Sequence, residues 1–184
     1  MDAIFPSVAM TVPGCPTLVA DGMNGRASVW EHNLFPRELH GGATLAAVLE
    51  RLLPLQGLVL MLGTNDCMAP LNLTGAQIAD NLVRMAWLAK KRCGTTLRIV
   101  FLSPPPLAPH GIEDLRATGY GRPDILGQNL SLAFAMAAQR EGFLFLDGSS
   151  ALAHMDALDG YHMSQAGHRA LGELLGHFLA RLKN

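Results

Sequence analysis

Apolar positions in this chain recur with two different periods, and the changes of period mark its elements. Leu45, Val48, Leu49 and Leu52 fall on one stripe between Thr44 and Leu53, which predicts a helix closed by Pro54. Leu58 to Leu62 is instead a continuous apolar run, short enough for a strand buried on both faces. Thr74-Gly-Ala-Gln77 has capping-box spacing ahead of a second helical stripe, Ile78, Leu82, Met85 and Ala86, with Gly94 as its stop. Leu97 to Leu102 reads as the next strand, and three prolines then exclude both helix and ladder. Asp124 opens a stripe through Ile125, Leu126, Leu130, Ala133, Phe134 and Ala137, with Gly142 ahead of the strand Phe143 to Leu146. Ser164 caps a last helix whose apolar side holds Leu171, Leu174, Leu175, Phe178, Leu179 and Leu182.

The N-terminal part is less regular. A short helix over Ala3 to Met10 tolerates Pro6 near its start and ends at Pro13-Gly14; Thr17 to Ala20 is next, as a short strand. Ser28 to Gly42 and Pro106 to Pro123 lack a clear period and read as loops that shape a pocket, and Gly148 to Ala157 reads as a loop. Strands alternating with helices of these lengths predict an α/β protein, a parallel sheet covered on both faces, in one domain over residues 1–184.

Composition narrows the function classes. About half of the 184 residues are hydrophobic, enough for a sizeable core, and a formal net charge of −1 gives no electrostatic case for nucleic acid or an anionic membrane. No apolar run approaches the ~20 residues of a membrane span. Cys15, Cys67 and Cys93 lack metal-ligand spacing and read as reduced thiols, and the N-terminus is a poor signal peptide, so a cytoplasmic location is expected.

Two polar stretches stand where chemistry is usual. Thr64, Asn65 and Asp66 come after the Leu58–Leu62 strand through Gly63, and ligand crevices of parallel sheets lie beyond the strands' carboxyl ends. The same residue types also serve simply to turn the chain and cap the next element. Near the other end stands Asp159-Gly-Tyr-His162. An Asp three residues before a His can bond the ring nitrogen that faces back along the chain, which leaves the other nitrogen as a general base. A helix-flanking histidine held by a nearby carboxylate would look the same.

Strand-Gly-Thr-Asn-Asp early and Asp-x-x-His late resemble the SGNH hydrolases, the GDSL-like esterases and lipases. Ser103-Pro-Pro-Pro-Leu-Ala-Pro109 after a later strand is similar to the arylesterase and acyltransferase branch, and Asp21-Gly-Met-Asn-Gly-Arg26 to that family's second block. The resemblance runs from about Phe5 to the C-terminus. It implies a flavodoxin-like three-layer fold and a Ser-His-Asp mechanism on small acyl or aryl esters without a cofactor. His162 would be the base, Asp159 its orienting partner, and Gly25 N–H and the Asn65 side chain the oxyanion donors. Trp30, Asp66 and Pro106 are candidates for the substrate pocket. The expected partner is a small-molecule ester, with neither nucleic acid nor membrane; a homo-oligomer is compatible with it.

The family's nucleophile sits in a Gly-Asp-Ser turn after its first strand, and this chain contains no such tripeptide. Phe5 to Val12 already resembles the helix after that strand, so the first central strand is expected to be missing, leaving a gap, or an intruding segment from a neighbouring chain, between the strands holding Leu18 and Val59. Its burial would contribute an amount comparable to a domain's net stability. Ser7, Cys67 and Ser103 are substitutes that no motif positions. His154, Asp156, Asp159 and His162 share one segment, but no metal site is expected from them. Three readings remain: an ester hydrolase or acyltransferase whose serine lies elsewhere, an inactive relative that binds acyl or carbonyl ligands, and an unrelated flavodoxin-like binding domain.

Overall fold

Phe101 and Leu102 are adjacent in sequence and buried in different hydrophobic clusters, and that alternation organises the molecule. The structure, a computed structural model, describes residues 4–33, 35–119, 121, 122, 125, 128–155 and 159–182. Three parallel strands, β1 (Gly57–Leu60), β2 (Arg98–Leu102) and β3 (Leu144–Leu146), form a sheet in the order β1-β2-β3. Val59 pairs with Val100, and Val100 with Leu144.

Leu60, Ile99 and Phe101 face a cluster supplied by three helices, α2 (Gly41–Leu52), α3 (Gly75–Cys93) and α5 (Gln128–Glu141). Val100, Leu102 and Leu146 face α1 (Phe5–Ala9) and α6 (Gln165–Arg181) through Ala9, Leu171, Leu175 and Leu179. The result is the expected three-layer α/β arrangement. The outer layer of α1 and α6 is close because two glycines let it be so: a Cβ at Gly172 or Gly176 would stand 2.6 Å from the carbonyl oxygen of Phe5 or Ala9, respectively. No helix among the described residues is long and apolar enough to cross a membrane.

Local signals hold where they were strong. Thr74 and Gln77 form the reciprocal capping box, Gln77 N donating to Thr74 Oγ1 at 3.2 Å and Thr74 N to Gln77 Oε1 at 2.8 Å. Ser164 accepts from Gly167 N at the start of α6. The expected helix starts at Ala3 and Asp124 lie outside the described residues, as do Leu126 and Ala157.

Four readings are corrected. Thr17 to Ala20 is not a strand: it joins no ladder among the described residues, because a strand needs a neighbour for its backbone groups. Leu18 still packs into the same cluster as Val59, while Val19 is 64% exposed. The span Pro106 to Pro123 is not all irregular, since Pro109 begins helix α4 (Pro109–Thr118), where its missing N–H costs nothing. The expected loops at Ser28–Gly42 and Gly148–Ala157 contain 3-10 turns at Arg37–Leu39 and Gly148–His154. The first regular strand ends at Leu60 rather than Leu62, and Leu58 and Val59 are only half-buried because β1 is an edge of the described sheet.

Candidate active site

The loop after β1 depends on Gly63. Its φ of 121° is in a region that favours glycine, and a Cβ there would lie 2.9 Å from Leu130 Cδ2. Beyond it Asn65, Asp66 and Cys67 form a 3-10 turn. Asn65 Nδ2 donates to Arg26 O at 3.0 Å, which brings Asn65 against the turn that holds Gly25. One amide hydrogen of Asn65 is thereby used, and the other makes no hydrogen bond among the described residues. Gly25 has φ 77°, and its N–H makes no hydrogen bond among the described residues. Two donors of the kind an oxyanion needs therefore stand on neighbouring loops.

The Gly25 turn is itself braced. Arg26 Nη1 donates to Asp21 O at 2.6 Å and to Asp21 Oδ2 at 2.8 Å, and both side chains are largely buried. Ala27 N donates to Leu39 O and Gly41 N to Ala27 O, which ties the turn to the start of α2. A Cβ at Gly41 would stand 2.7 Å from Ala27 O, so this approach requires glycine.

Asp66 is fully buried and is not among the residues lining the pocket beside Trp30. Both of its oxygens accept from Ser28 N, at 2.9 and 3.0 Å, and Oδ1 also accepts from Ser28 Oγ. Asn81 Nδ2 on α3 donates to Ser28 Oγ at 3.2 Å. Burial pushes the Asp66 carboxyl above its ordinary range, against the opposing hydrogen bonds from Ser28. This network clamps the loop carrying Asn65 onto the segment that follows Gly25. Ser28 and Asn81 escaped the sequence reading. The one signal was a polar Asn81 beside Leu82 and three residues after Ile78, at the edge of an apolar stripe.

At the other site, Asp159 Oδ2 lies 2.6 Å from His162 Nδ1, and Asp159 Oδ1 accepts from Tyr161 N at 2.7 Å and His162 N at 2.9 Å. Burial would raise the Asp159 carboxyl, but the His162 ring and the two backbone donors outweigh it and hold the group below its usual range. The His162 side chain is 74% exposed, and its Nε2 makes no hydrogen bond among the described residues. The turn is docked on α4: Ala108 N donates to Gly160 O at 3.0 Å, and the Tyr161 hydroxyl bonds Asp114. Among the described residues no hydrogen bond joins the Asp159–His162 pair to the Gly25–Asn65 pair.

The remaining candidates separate clearly. Trp30 lines a pocket of about 650 Å³ together with Arg37, Asn81 and Arg84. Pro106 is half-buried and does not line that pocket. Ser103 is fully buried, donating to Asp147 Oδ1 at 3.0 Å and accepting from Gly148 N at 3.0 Å. Cys67 is buried with its Sγ 3.2 Å from Gly63 O, and Ser7 is exposed on α1. Among the described residues no group of three or more His, Cys, Asp or Glu side chains could hold a metal ion; Asp156 lies outside them.

The sequence profile of the GDSL-like lipase/acylhydrolase family matches residues 11–170. The chain belongs to this family. Membership supports an esterase or acylhydrolase function. Solved structures agree in fold. The inhibitor-bound aryl esterase of M. smegmatis superposes with a TM-score of 0.80 at 27% identity, covering 97% of this chain and 85% of that one. A carbohydrate acetylesterase family member from Sinorhizobium meliloti gives 0.76 at 26% identity, again with 97% and 85% coverage. The lipase/acylhydrolase from Enterococcus faecalis, at 18% identity, TM-score 0.68 and coverage of 99% and 87%, shares the fold. Part of each neighbour's chain thus has no counterpart here. Among curated proteins none matches the chain significantly.

Proposed function

We propose that this GDSL-like chain supplies the base and the oxyanion donors of a serine ester hydrolase or acyltransferase acting on small acyl or aryl esters. The observation that carries this is the 2.6 Å pairing of Asp159 Oδ2 with His162 Nδ1, which leaves Nε2 exposed and unengaged among the described residues. In the proposed cycle a serine Oγ attacks the ester carbonyl while His162 Nε2 takes its proton. The oxyanion that forms is met by Gly25 N–H and the Asn65 amide. The tetrahedral species collapses, His162 returns the proton to the leaving alcohol, and water or a second alcohol then attacks the acyl-enzyme by the same steps. Aryl and acetyl esters fit as substrates because the similar structures are described as an aryl esterase and a carbohydrate acetylesterase.

The serine of this scheme is carried by a segment outside the given sequence, in which no Gly-Asp-Ser occurs. The side of β1 that pairs with no strand among the described residues and the half-buried Leu58 and Val59 support a strand there that leads into the serine turn. The second reading, an inactive relative that binds acyl or carbonyl ligands, is favoured by the engagement of the internal substitutes: Ser103 and Cys67 are buried and hydrogen-bonded elsewhere.

p-Nitrophenyl acetate hydrolysis tests the two. The chain as given is expected to turn over no faster than its His162→Ala variant. A chain extended by a strand and Gly-Asp-Ser is expected to hydrolyse the ester and to lose that activity on His162→Ala. An inert extended chain that is folded would support the inactive reading. Turnover by the unextended chain, abolished by Asn65→Ala and His162→Ala, would overturn the external serine and direct mutation to Ser7, Cys67 and Ser103.

A further inference from the structure

The pocket beside Trp30 carries charge that the proposed hydrolysis does not use. Arg84 stands with its guanidinium carbon 4.5 Å from the centroid of the Trp30 ring. Arg37 lines the same pocket, and neither arginine has a carboxylate partner among the described residues. By contrast Arg26, Arg51, Arg92 and Arg140 each hold an Asp or Glu. Glu31 shares the wall, so the two arginines leave the pocket with an excess of positive charge. Val29, Leu71 and Leu73 supply apolar lining.

Its volume of about 650 Å³ lies within the ~300–1,000 Å³ usual for small-molecule sites. We infer that this pocket binds a small organic carboxylate, the anionic end held by Arg84 and Arg37 and the hydrocarbon body laid on the Val29–Leu71–Leu73 surface beside the Trp30 ring. A guanidinium resting over a ring keeps its N–H edges for a carboxylate, which it meets with two parallel bonds. The apolar lining disfavours a ligand that is only charge, such as a bare inorganic anion, and the arginines disfavour one that is only hydrocarbon.

The site is also joined to the proposed catalytic loop. Asn81 lines the pocket and donates to Ser28 Oγ, which in turn bonds Asp66, the neighbour of Asn65. An occupant therefore sits one hydrogen-bonded relay away from the oxyanion donor. The inference concerns binding alone and stands or falls independently of where the serine comes from.

The experiment uses the chain's two tryptophans, Trp30 and Trp87. In a Trp87→Phe background the emission of Trp30 is monitored while benzoate or benzyl alcohol is added, with calorimetry of the same titrations. Benzoate is expected to give a saturable change, with benzyl alcohol at least about tenfold weaker, because it lacks the charge-assisted pair. Arg84→Gln and, separately, Arg37→Gln should weaken benzoate by about tenfold or more while leaving the circular dichroism unchanged. Arg37→Gln keeps the test independent of any direct effect of Arg84 on Trp30 emission. Equal affinity for benzoate and benzyl alcohol, unaltered benzoate binding in both arginine variants, or no saturable change would each overturn the site.

Discussion

Gly111 and Gly160 meet backbone against backbone: a Cβ on Gly111 would lie 2.8 Å from Gly160 O, and one on Gly160 would lie 2.7 Å from Gly111 N. Gly160 also needs its φ of 68°, whereas Gly111 is an ordinary helical position that an alanine could adopt if space allowed. Gly111→Ala therefore tests the contact alone. It is expected to destabilise the fold by ~1–3 kcal/mol through overpacking and to push the Asp159–His162 turn off α4. Chemical denaturation and the NMR signals of the His162 ring read the two effects. A variant unchanged in both would show that α4 does not position the pair.

Tyr161 fastens the same turn to the same helix. Its hydroxyl donates to Asp114, and this bond is the main reason its pKa is pushed up to about 12. A raised tyrosine pKa means that the bond's stabilisation is fully present below the unfolded value of ~10 and is lost as pH rises through the folded value. Asp114→Asn should bring the phenolate absorbance transition of Tyr161 down toward its ordinary range. Tyr161→Phe should be less stable than the parent below about pH 10, with the gap narrowing above it. A Tyr161 transition that stays put in Asp114→Asn would refute the assignment.

Asp66 gives a pH dependence of its own. Its folded pKa is raised, so its favourable contribution is complete below the unfolded value of ~3.9 and declines as pH rises through the folded one. The stability of the parent relative to Asp66→Asn should accordingly be greatest at the acid end and shrink toward neutrality. Denaturant unfolding between about pH 4 and 7 checks the sign. Ser28→Ala removes one donor from this buried carboxyl and should cost ~1–3 kcal/mol at neutral pH. A neutral Ser28→Ala would mean that water replaces the hydroxyl.

For the chain extended with a serine-bearing strand, His162→Ala and Asp159→Asn are both expected to lower kcat by orders of magnitude, with the histidine change the larger. In a serine protease the equivalent Asp→Asn change costs about 10⁴. KM should move little, since neither group is proposed to hold the acyl chain. Near-parental turnover in both variants would remove His162 as the base.

The Asp159–His162 pair and the Thr74–Gln77 box were legible because each is local. Three residues of spacing bring the partners together whatever the rest of the chain does. The alternation of Ile99, Val100, Phe101 and Leu102 between two clusters was likewise implied by a strand's period of two. Family resemblance put Asn65 beside the Gly25 turn, but the physical cause is the Ser28–Asp66–Asn81 network, whose bonds span 38 and 53 residues. No periodicity encodes such bonds: they exist only once the sheet and α3 have set the loops at hydrogen-bond distance. Arg84 over Trp30, the glycine contact between α4 and the histidine turn, and the helix after three prolines belong to the same class. Thr17 to Ala20 makes the point from the other side. Its residues are strand-compatible, yet whether a segment is a strand depends on a neighbour's backbone groups, and only the assembled sheet supplies or withholds those.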